Sequence, residues 1–376
     1  MAKRAANQQA TLFDVSIEET TPPAHNGSPP VVESQPAEPL PPAEPKTPTV
    51  YVVDSHSLIY QVFHAVPEMS SPSGQPVGAV HGFIRDVLDL LDKKKPDYLF
   101  CAFDYSGTTF RNALYDQYKA KREEMPIDLR PQIENIRRLL RAMNVPVLEL
   151  DQYEADDILA TIAQLCDERG WDCFLVTGDK DCRQLISEHV QVYNIRKQEL
   201  MNAEGLMVEW GIRPDQVVDF QALVGDAVDN VPGVPLIGPK IAKELITQYG
   251  TLEAVLENAA NVPGKKRSEN LLNFKDQALL SRDLVRLKRD VPIEIDWEHG
   301  RVGGVKREEV AALCLEFGFR KLAEQLGGLT VAELKPPSAK WQSNYRTIAT
   351  PQALAELVAT LEQQTIISVD TETTST

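Results

Sequence analysis

Cysteine is scarce and unpatterned in this sequence: Cys101, Cys166, Cys173, Cys182 and Cys314 are five in 376 residues, odd in number and without CxxC spacing. That disfavours a disulfide framework or a zinc site and predicts free buried thiols. No apolar run approaches the ~20 residues that cross a bilayer, and the opening MAKRAANQQA lacks the apolar core of a signal peptide. A cytoplasmic protein with no membrane partner is expected. Nucleotide-binding signatures are missing too, with no GxxxxGKS or GxxxxGKT and no GxGxxG after a strand. The first predicted strand ends in Asp54-Ser55-His56, without the DxD of an enzyme that forms an aspartyl-phosphate. Basic charge is short, with 39 Lys and Arg against 55 Asp and Glu and a net charge of −16. That is the wrong sign for the usual nucleic-acid footprint.

What charge there is lies unevenly. From Phe110 to Arg122, Arg111, Lys119, Lys121 and Arg122 oppose one acid, Asp116. From Lys265 to Arg289, Lys265, Lys266, Arg267, Lys275, Arg282, Arg286, Lys288 and Arg289 oppose Glu269, Asp276 and Asp283. On charge alone, such stretches serve as solvated faces as readily as binding surfaces. Residues 1–48 hold ten of the 26 prolines and no apolar periodicity, which predicts a disordered, extended tail. From Thr49 the β-rich runs TVYVVD, YLFCAFD, VPVLEL and CFLVTGD alternate with the helical patterns GAVHGFIRDVLDLLDKKK, PQIENIRRLLRAMN and DDILATIAQLCDERG. The expected fold is α/β over 49–204, a mostly parallel sheet flanked by helices. Residues 205–327 read as helical, broken by PGVPLIG and the basic run. A linker, LKPPSAKWQSN, falls in 328–345, and 346–376 restarts a strand, helix, strand pattern.

The acids follow the strands. Asp54 closes VYVVD, Asp104 closes LFCAFD, Glu154, Asp156 and Asp157 follow VLEL, and Asp179 and Asp181 follow FLVT. Open α/β sheets build their sites past the C-terminal ends of their strands. Acids at 154–157 also suit a plain helix N-terminus, where they complement the macrodipole. Two carboxylates ~4 Å apart repel by about 4 kcal/mol at an effective dielectric of about 20, so this many converging there require cations. Oxygen ligands in such number suit Mg²⁺ or Mn²⁺. One ion needs two or three of them, so a larger set suggests a pair, the geometry of phosphodiester cleavage. His56, His64 and His81 have no carboxylate-histidine spacing and are expected to pack rather than ligate.

Seven ordered motifs, VDSHSLIYQVFHA, FD at 103–104, FRNALYDQYKAKR at 110–122, YEADD, TGDKD, GDAVDN at 225–230 and VPGVPLIGPKIA at 231–242, resemble the 5′-to-3′ exonuclease domain of the bacterial DNA polymerase I family, a branch of the flap endonucleases with a PIN-like fold. The resemblance covers Val50 to about Leu326. It implies structure-specific hydrolysis of DNA at 5′ ends, flaps and nicks in primer removal and repair, by a bacterial, nucleoid-associated monomer. It implies two Mg²⁺ or Mn²⁺ ions, Asp54, Asp104, Glu154 and Asp156 around one and Asp179, Asp181 and Asp229 around the other, with Asp157 and Asp226 acting from behind them or through water. In the family the segment matching 105–125 arches over the site, so Arg111 and Lys119 are expected to hold the scissile phosphate with Arg122 in support. PGVPLIGPKIAKEL resembles a helix-hairpin-helix, where Gly233 and Gly238 would let the backbone approach a DNA phosphate, with Lys240 and Lys243 beside them and a K⁺ ion bound. Two departures stand out: Gln61 where the family usually has Arg, and Ser55 where Gly is common. The alternative is a flap-binding adaptor that cuts poorly because the arch, with Gln61, no longer positions the phosphate.

Both ends carry further resemblances. In ISVDTETTST, Asp370 and Glu372 alternate on a predicted strand and resemble the first motif of a 3′-to-5′ proofreading exonuclease, here without its later motifs. In the tail, Gln9, Leu12 and Phe13 of QATLF resemble the short motif by which bacterial repair proteins dock on the sliding clamp, an apolar pair in a polar segment able to order on binding.

Overall fold

The computed structural model describes residues 46–327, 346–364 and 367. Gln9, Leu12, Phe13, Asp370 and Glu372 lie outside them. The strands are β1 (Thr49–Asp54), β2 (Tyr98–Ala102), β3 (Val147–Leu148), β4 (Asp172–Val176), β5 (Val190–Asn194) and β6 (Glu199–Met201), in the order β3-β2-β1-β4-β5-β6. All neighbours run parallel except β5 and β6. Strand β1 is central, with Val52 opposite Phe100 on one side and Leu175 on the other. It reads as a continuous apolar run because both of its faces are covered.

Alternation along β1 divides the core. Val50 and Val52 point with Phe100 and Leu175 into a cluster built on α5 (Ala155–Arg169). Tyr51 and Val53 point to the other face, with Leu99 and Val176, under α1 (Ser55–Ala65), α2 (Gly78–Lys94) and α4 (Arg130–Ala142); the short helix α3 (Phe110–Leu114) precedes α4 in the chain. The chain leaves β1 toward β2 and β3, then returns to the opposite side for β4. The strand order therefore reverses at β1, and a crevice opens at the carboxyl ends of β1 and β4.

Helices α6 (Ala203–Glu209), α7 (Val217–Val224), α8 (Pro239–Tyr249), α9 (Leu252–Glu257), α10 (Lys265–Asn273) and α11 (Lys275–Val285) follow. Val217, Leu223, Val234, Ile246 and Leu271 belong to the same buried cluster as α5 and β4, so the core runs unbroken from the sheet into the helical region. Between α7 and α8 the backbone crosses itself. Gly225 (φ +74°) and Gly233 (φ +58°) meet so closely that a Cβ on Gly225 would stand 2.6 Å from the Val231 carbonyl oxygen, and one on Gly233 2.5 Å from the Gly225 nitrogen. Only glycine tolerates both the positive φ and that approach. Asp226 and Val231 exchange backbone hydrogen bonds at 2.9 and 2.7 Å, closing the loop between them. All five cysteines are buried free thiols. Among the described residues no helix is long and apolar enough to cross a membrane.

Candidate active site

The crevice at the carboxyl edge of the sheet is a cleft of about 940 Å³, lined by Asp54, Asp104, Asp156, Asp179, Asp181, Asp226 and Asp229. Local backbone structure sets each acid. Asp54 ends β1 and caps α1, accepting from the Ser57 amide at 3.0 Å and from the Thr177 hydroxyl at 2.7 Å. Asp104 follows β2 and accepts from the Ala155 amide at 2.8 Å, while its own amide donates to His56 Nδ1 at 3.0 Å. Burial holds His56 below its ordinary pKa, which keeps that ring nitrogen an acceptor. Glu154 caps α5, and the acids of its first turn lie at the positive end of that helix.

Behind the cleft sit Glu154 and Asp157, both buried. Asp157 is fully engaged. It receives Arg111 Nη1 at 2.7 Å, Arg111 Nη2 at 2.8 Å and the Lys288 amide at 2.9 Å. Asp226 is held by Lys180 Nζ at 2.7 Å. Burial opposes ionisation of Asp226, but that ammonium and the Val228 amide outweigh it and keep the carboxyl below its ordinary pKa.

The other acids are pushed the opposite way. Burial, then repulsion from Asp104, raises Asp54 to about 7; burial, then Asp179, raises Asp181 to about 7. Burial also raises Asp156, with Asp179 and Glu154 adding, and it raises Asp179. Among the described residues no three Asp, Glu, His or Cys side chains form a ready cage for an ion. Cations and amides of the protein hold the carboxylates one by one instead. Lys119 Nζ lies 2.5 Å from Glu154, Arg122 Nη2 2.6 Å from Asp229, and Gln221 Nε2 2.5 Å from Asp181. Tyr118 donates to Glu154 at 3.1 Å. The donor set is nevertheless all hard oxygen, and its raised acids are short of positive charge, which fits divalent ions of the Mg²⁺ type.

Two expectations from the sequence change here. Arg111 does not project into the cleft as a phosphate contact. It is 1% exposed, and besides Glu154 and Asp157 it donates from Nε to the Leu284 carbonyl at 2.8 Å and from Nη2 to the Arg286 carbonyl at 3.2 Å. A guanidinium with its donors spent inside the protein has none for a phosphate. Lys119 and Arg122 do line the cleft. Gly233 likewise faces inward: its amide donates to Ser281 Oγ at 3.0 Å and its carbonyl accepts from Gln277 Nε2 at 2.7 Å. Its freedom serves the crossing with Gly225. Gly238 is exposed with open space around it, at the start of α8, and Lys240 and Lys243 are exposed on that helix. Gln61 lies at the lip of the cleft, its amide donating to Ser57 Oγ at 3.1 Å, and Ser55 is fully buried. Sequence reasoning missed Tyr118, Thr177, Lys180 and Gln221. The first three sit inside quoted motifs, whereas nothing marks Gln221 until α7 is seen to pack beneath Asp181.

The fold is shared with a variant of the phage T5 D15 flap endonuclease, solved with DNA and metal ions, at a TM-score of 0.56 and 18% identity over 74% of this chain and 97% of that one. Residues 49–211 match the 5′-3′ exonuclease N-terminal resolvase-like domain, and 212–308 match the 5′-3′ exonuclease C-terminal SAM fold. The chain belongs to the 5′-3′ exonuclease family. It is 36% identical over 254 residues to a 5′-3′ exonuclease of Aquifex aeolicus, covering 66% of this chain and 85% of that protein. It is 42% identical over 255 residues to a DNA polymerase I of Rhizobium leguminosarum, covering 66% of this chain and 25% of that protein. The chain thus spans about a quarter of that polymerase relative.

The buried arginine generates one expectation. Removing one partner of a buried, hydrogen-bonded charge pair costs about 3–5 kcal/mol. Arg111→Ala should therefore lose stability on that scale in urea denaturation, whereas Lys119→Ala, half-open to the cleft, should lose far less. Equal and small losses would mean that Arg111 is not structural.

Asp54 and Asp181 generate another. Each ionises near 3.8 when exposed and at about 7 in the folded protein. The folded state binds the extra protons between those values, so their contribution to stability is complete below about pH 4 and is lost as pH rises through 7. With EDTA present, the melting temperature should fall between pH 5 and pH 8, and Asp54→Asn should flatten that fall. A wild-type slope in Asp54→Asn would refute the assignment.

Proposed function

We propose that the chain hydrolyses DNA phosphodiesters at 5′ ends, flaps and nicks, as a two-metal nuclease of primer removal and repair. The observation that carries this is the gathering of seven carboxylates in one cleft at the switch point of the sheet, with Lys119, Lys121 and Arg122 on its rim. Asp54, Asp104, Glu154 and Asp156 would hold one Mg²⁺ or Mn²⁺ ion and Asp179, Asp181 and Asp229 the other. Bound there, such a pair supplies an activated water and neutralises charge on the attacking and leaving oxygens.

The chain's own share is positioning. His56 and the Ala155 amide fix Asp104, Thr177 and the Ser57 amide fix Asp54, and Gln221 fixes Asp181. Lys119 and Arg122 neutralise Glu154 and Asp229; with a metal ion on those carboxylates the two cations would be available to a bound phosphate, where fixed positive charge would stabilise the transition state. Lys240, Lys243 and the exposed turn at Gly238 would meet duplex phosphates without reading sequence. A K⁺ ion at that hairpin would draw on backbone carbonyls such as those of Gly233, Val234 and Pro235, each of which accepts one hydrogen bond and keeps a second lone pair.

A 5′-labelled flap cut in Mg²⁺ and spared in EDTA is the expected result. Asp54→Ala, Glu154→Ala and Asp181→Ala should abolish cutting while flap binding in Ca²⁺ persists. Lys119→Ala should slow single-turnover cleavage by roughly 10²- to 10³-fold, the loss of one such donor. Wild-type turnover in any acid variant would sink the two-metal assignment. Binding without cutting by the native chain would instead mark a flap-binding adaptor, the outcome that Gln61 at the cleft lip favours.

A docking contact with the sliding clamp is proposed for Gln9, Leu12 and Phe13 on their sequence pattern. A peptide of residues 5–18 should bind the clamp at about micromolar strength, as suits one small segment that orders on binding. The double change Leu12→Ala and Phe13→Ala should remove it. Unchanged affinity would leave the segment as linker.

A further inference from the structure

Beside the acid cleft lies a second cavity, of about 430 Å³, between α6, α7 and the start of α8. We infer that it binds a nucleoside 5′-monophosphate at a site separate from the carboxylates. Four features fit that ligand. Trp210, Phe220 and Val224 give it an aromatic and aliphatic wall, with the two rings 5.2 Å apart and tilted by 38°, the surface a nucleobase packs against. Lys240 and Lys243, one turn apart on α8, stand at the same cavity, and neither makes an ion pair among the described residues. Two unpaired ammonium groups at one rim suit a phosphate.

Charges elsewhere around the cavity are already matched. Glu209 pairs with Arg183 at 2.9 Å and Lys180 with Asp226 at 2.7 Å, so the uncompensated charge is positive. Gln221 supplies the fourth feature. Its Nε2 is spent on Asp181, while its Oε1 is buried with no hydrogen-bond partner. A buried acceptor left unmet is unfavourable, and with a turn of the Gln221 side chain toward the cavity it lines, an exocyclic amino group of adenine, guanine or cytosine would meet it. The volume falls within the usual range for small-molecule sites.

The cavity communicates with the cleft. Lys180 lines both, and Gln221 touches the cavity while holding Asp181. Occupancy would therefore be felt at a carboxylate of the proposed second metal set. A mononucleotide is also the product class of exonucleolytic cutting. That link to catalysis rests on the proposed nuclease function; binding itself rests only on the cavity.

The test is therefore made without cleavage, in EDTA, by following tryptophan fluorescence and calorimetry of the full chain with dAMP, deoxyadenosine and deoxyribose 5-phosphate. Saturable binding of dAMP at ~1 mM or tighter is expected, with each half-ligand weaker by about tenfold or more. The Lys240→Ala, Lys243→Ala double variant should lose about tenfold in dAMP affinity, as should Trp210→Leu where it folds, whereas Asp54→Asn in the neighbouring cleft should bind as wild type. The inference is overturned if dAMP fails to bind, if the lysine double variant binds unchanged, or if Asp54→Asn abolishes binding. It also falls if a flap labelled with 2-aminopurine engages Trp210 while free dAMP does not, since the cavity would then belong to the DNA path. None of these outcomes bears on whether the chain cuts a flap.

Discussion

The bidentate pair between Arg111 and Asp157 is the joint on which the architecture turns. Asp157 lies in the first turn of α5, Arg111 in the short helix Phe110–Leu114, and the remaining guanidinium donors reach the Leu284 and Arg286 carbonyls at the C-terminal end of α11. Three stretches far apart in sequence are thus fixed by one side chain. A buried ion pair is seldom a net gain over apolar packing, but once built it is costly to break and specifies one geometry. Here the geometry it specifies is that of Glu154, which shares Arg111 Nη1 at 3.1 Å and so cannot drift from the cleft.

That joint makes an otherwise unfavourable site tolerable. Asp54, Asp156, Asp179 and Asp181 are driven toward their protonated forms by burial and by one another. A fold ruled by stability alone would have replaced several of them. It keeps them and brings Lys119, Arg122 and Lys180 against the neighbouring Glu154, Asp229 and Asp226, so that part of the repulsion within the cluster is offset by the protein's own cations. Lys119 bears local strain in doing so. Its φ is +57°, uncommon for a side chain of that length, and its backbone amide is held by the Asp229 carbonyl at 2.9 Å.

Much of this is legible in the sequence. Central strands buried on both faces give continuous apolar runs, so TVYVVD, YLFCAFD and CFLVTGD announced themselves, and the acids at their ends followed from the rule that parallel sheets open at their carboxyl edge. The edge was harder. VPVLEL yields only the two-residue strand β3 and the edge strand β6 has three residues, too few to carry a pattern, while β5, VQVYN, mixes polar with apolar positions and so lacks the continuous run of the central strands. Among site residues, the acids were legible because strand ends have a known address. The basic residues were not, since a charge motif does not say which way a side chain turns. Arg111 and Lys119 share one motif, and one is buried among carbonyls while the other faces the cleft. Gly233 misled for a related reason: a glycine reports close approach without reporting to what.

The helical region is best understood as part of the site and not as a neighbour of it. Asp226 and Asp229 come from the residues that match the C-terminal domain, whereas the remaining acids of the cleft come from the N-terminal one. The loop carrying them is pinched at its base by Gly225 and Gly233, and at its tip Asn230, itself at φ +58°, donates to the Gln117 carbonyl at 2.7 Å. Lys119 is bound to the same loop. The segment that presents cations and the segment that presents two of the acids are therefore tied to each other by backbone and side-chain hydrogen bonds, and one buried core runs beneath both domains. A cleft assembled this way can hold its charges at fixed distances only while both domains are folded together. The two halves of the cleft thus constitute a single cooperative element, in which the spacing of the carboxylates is a property of the interface between domains and of neither domain alone.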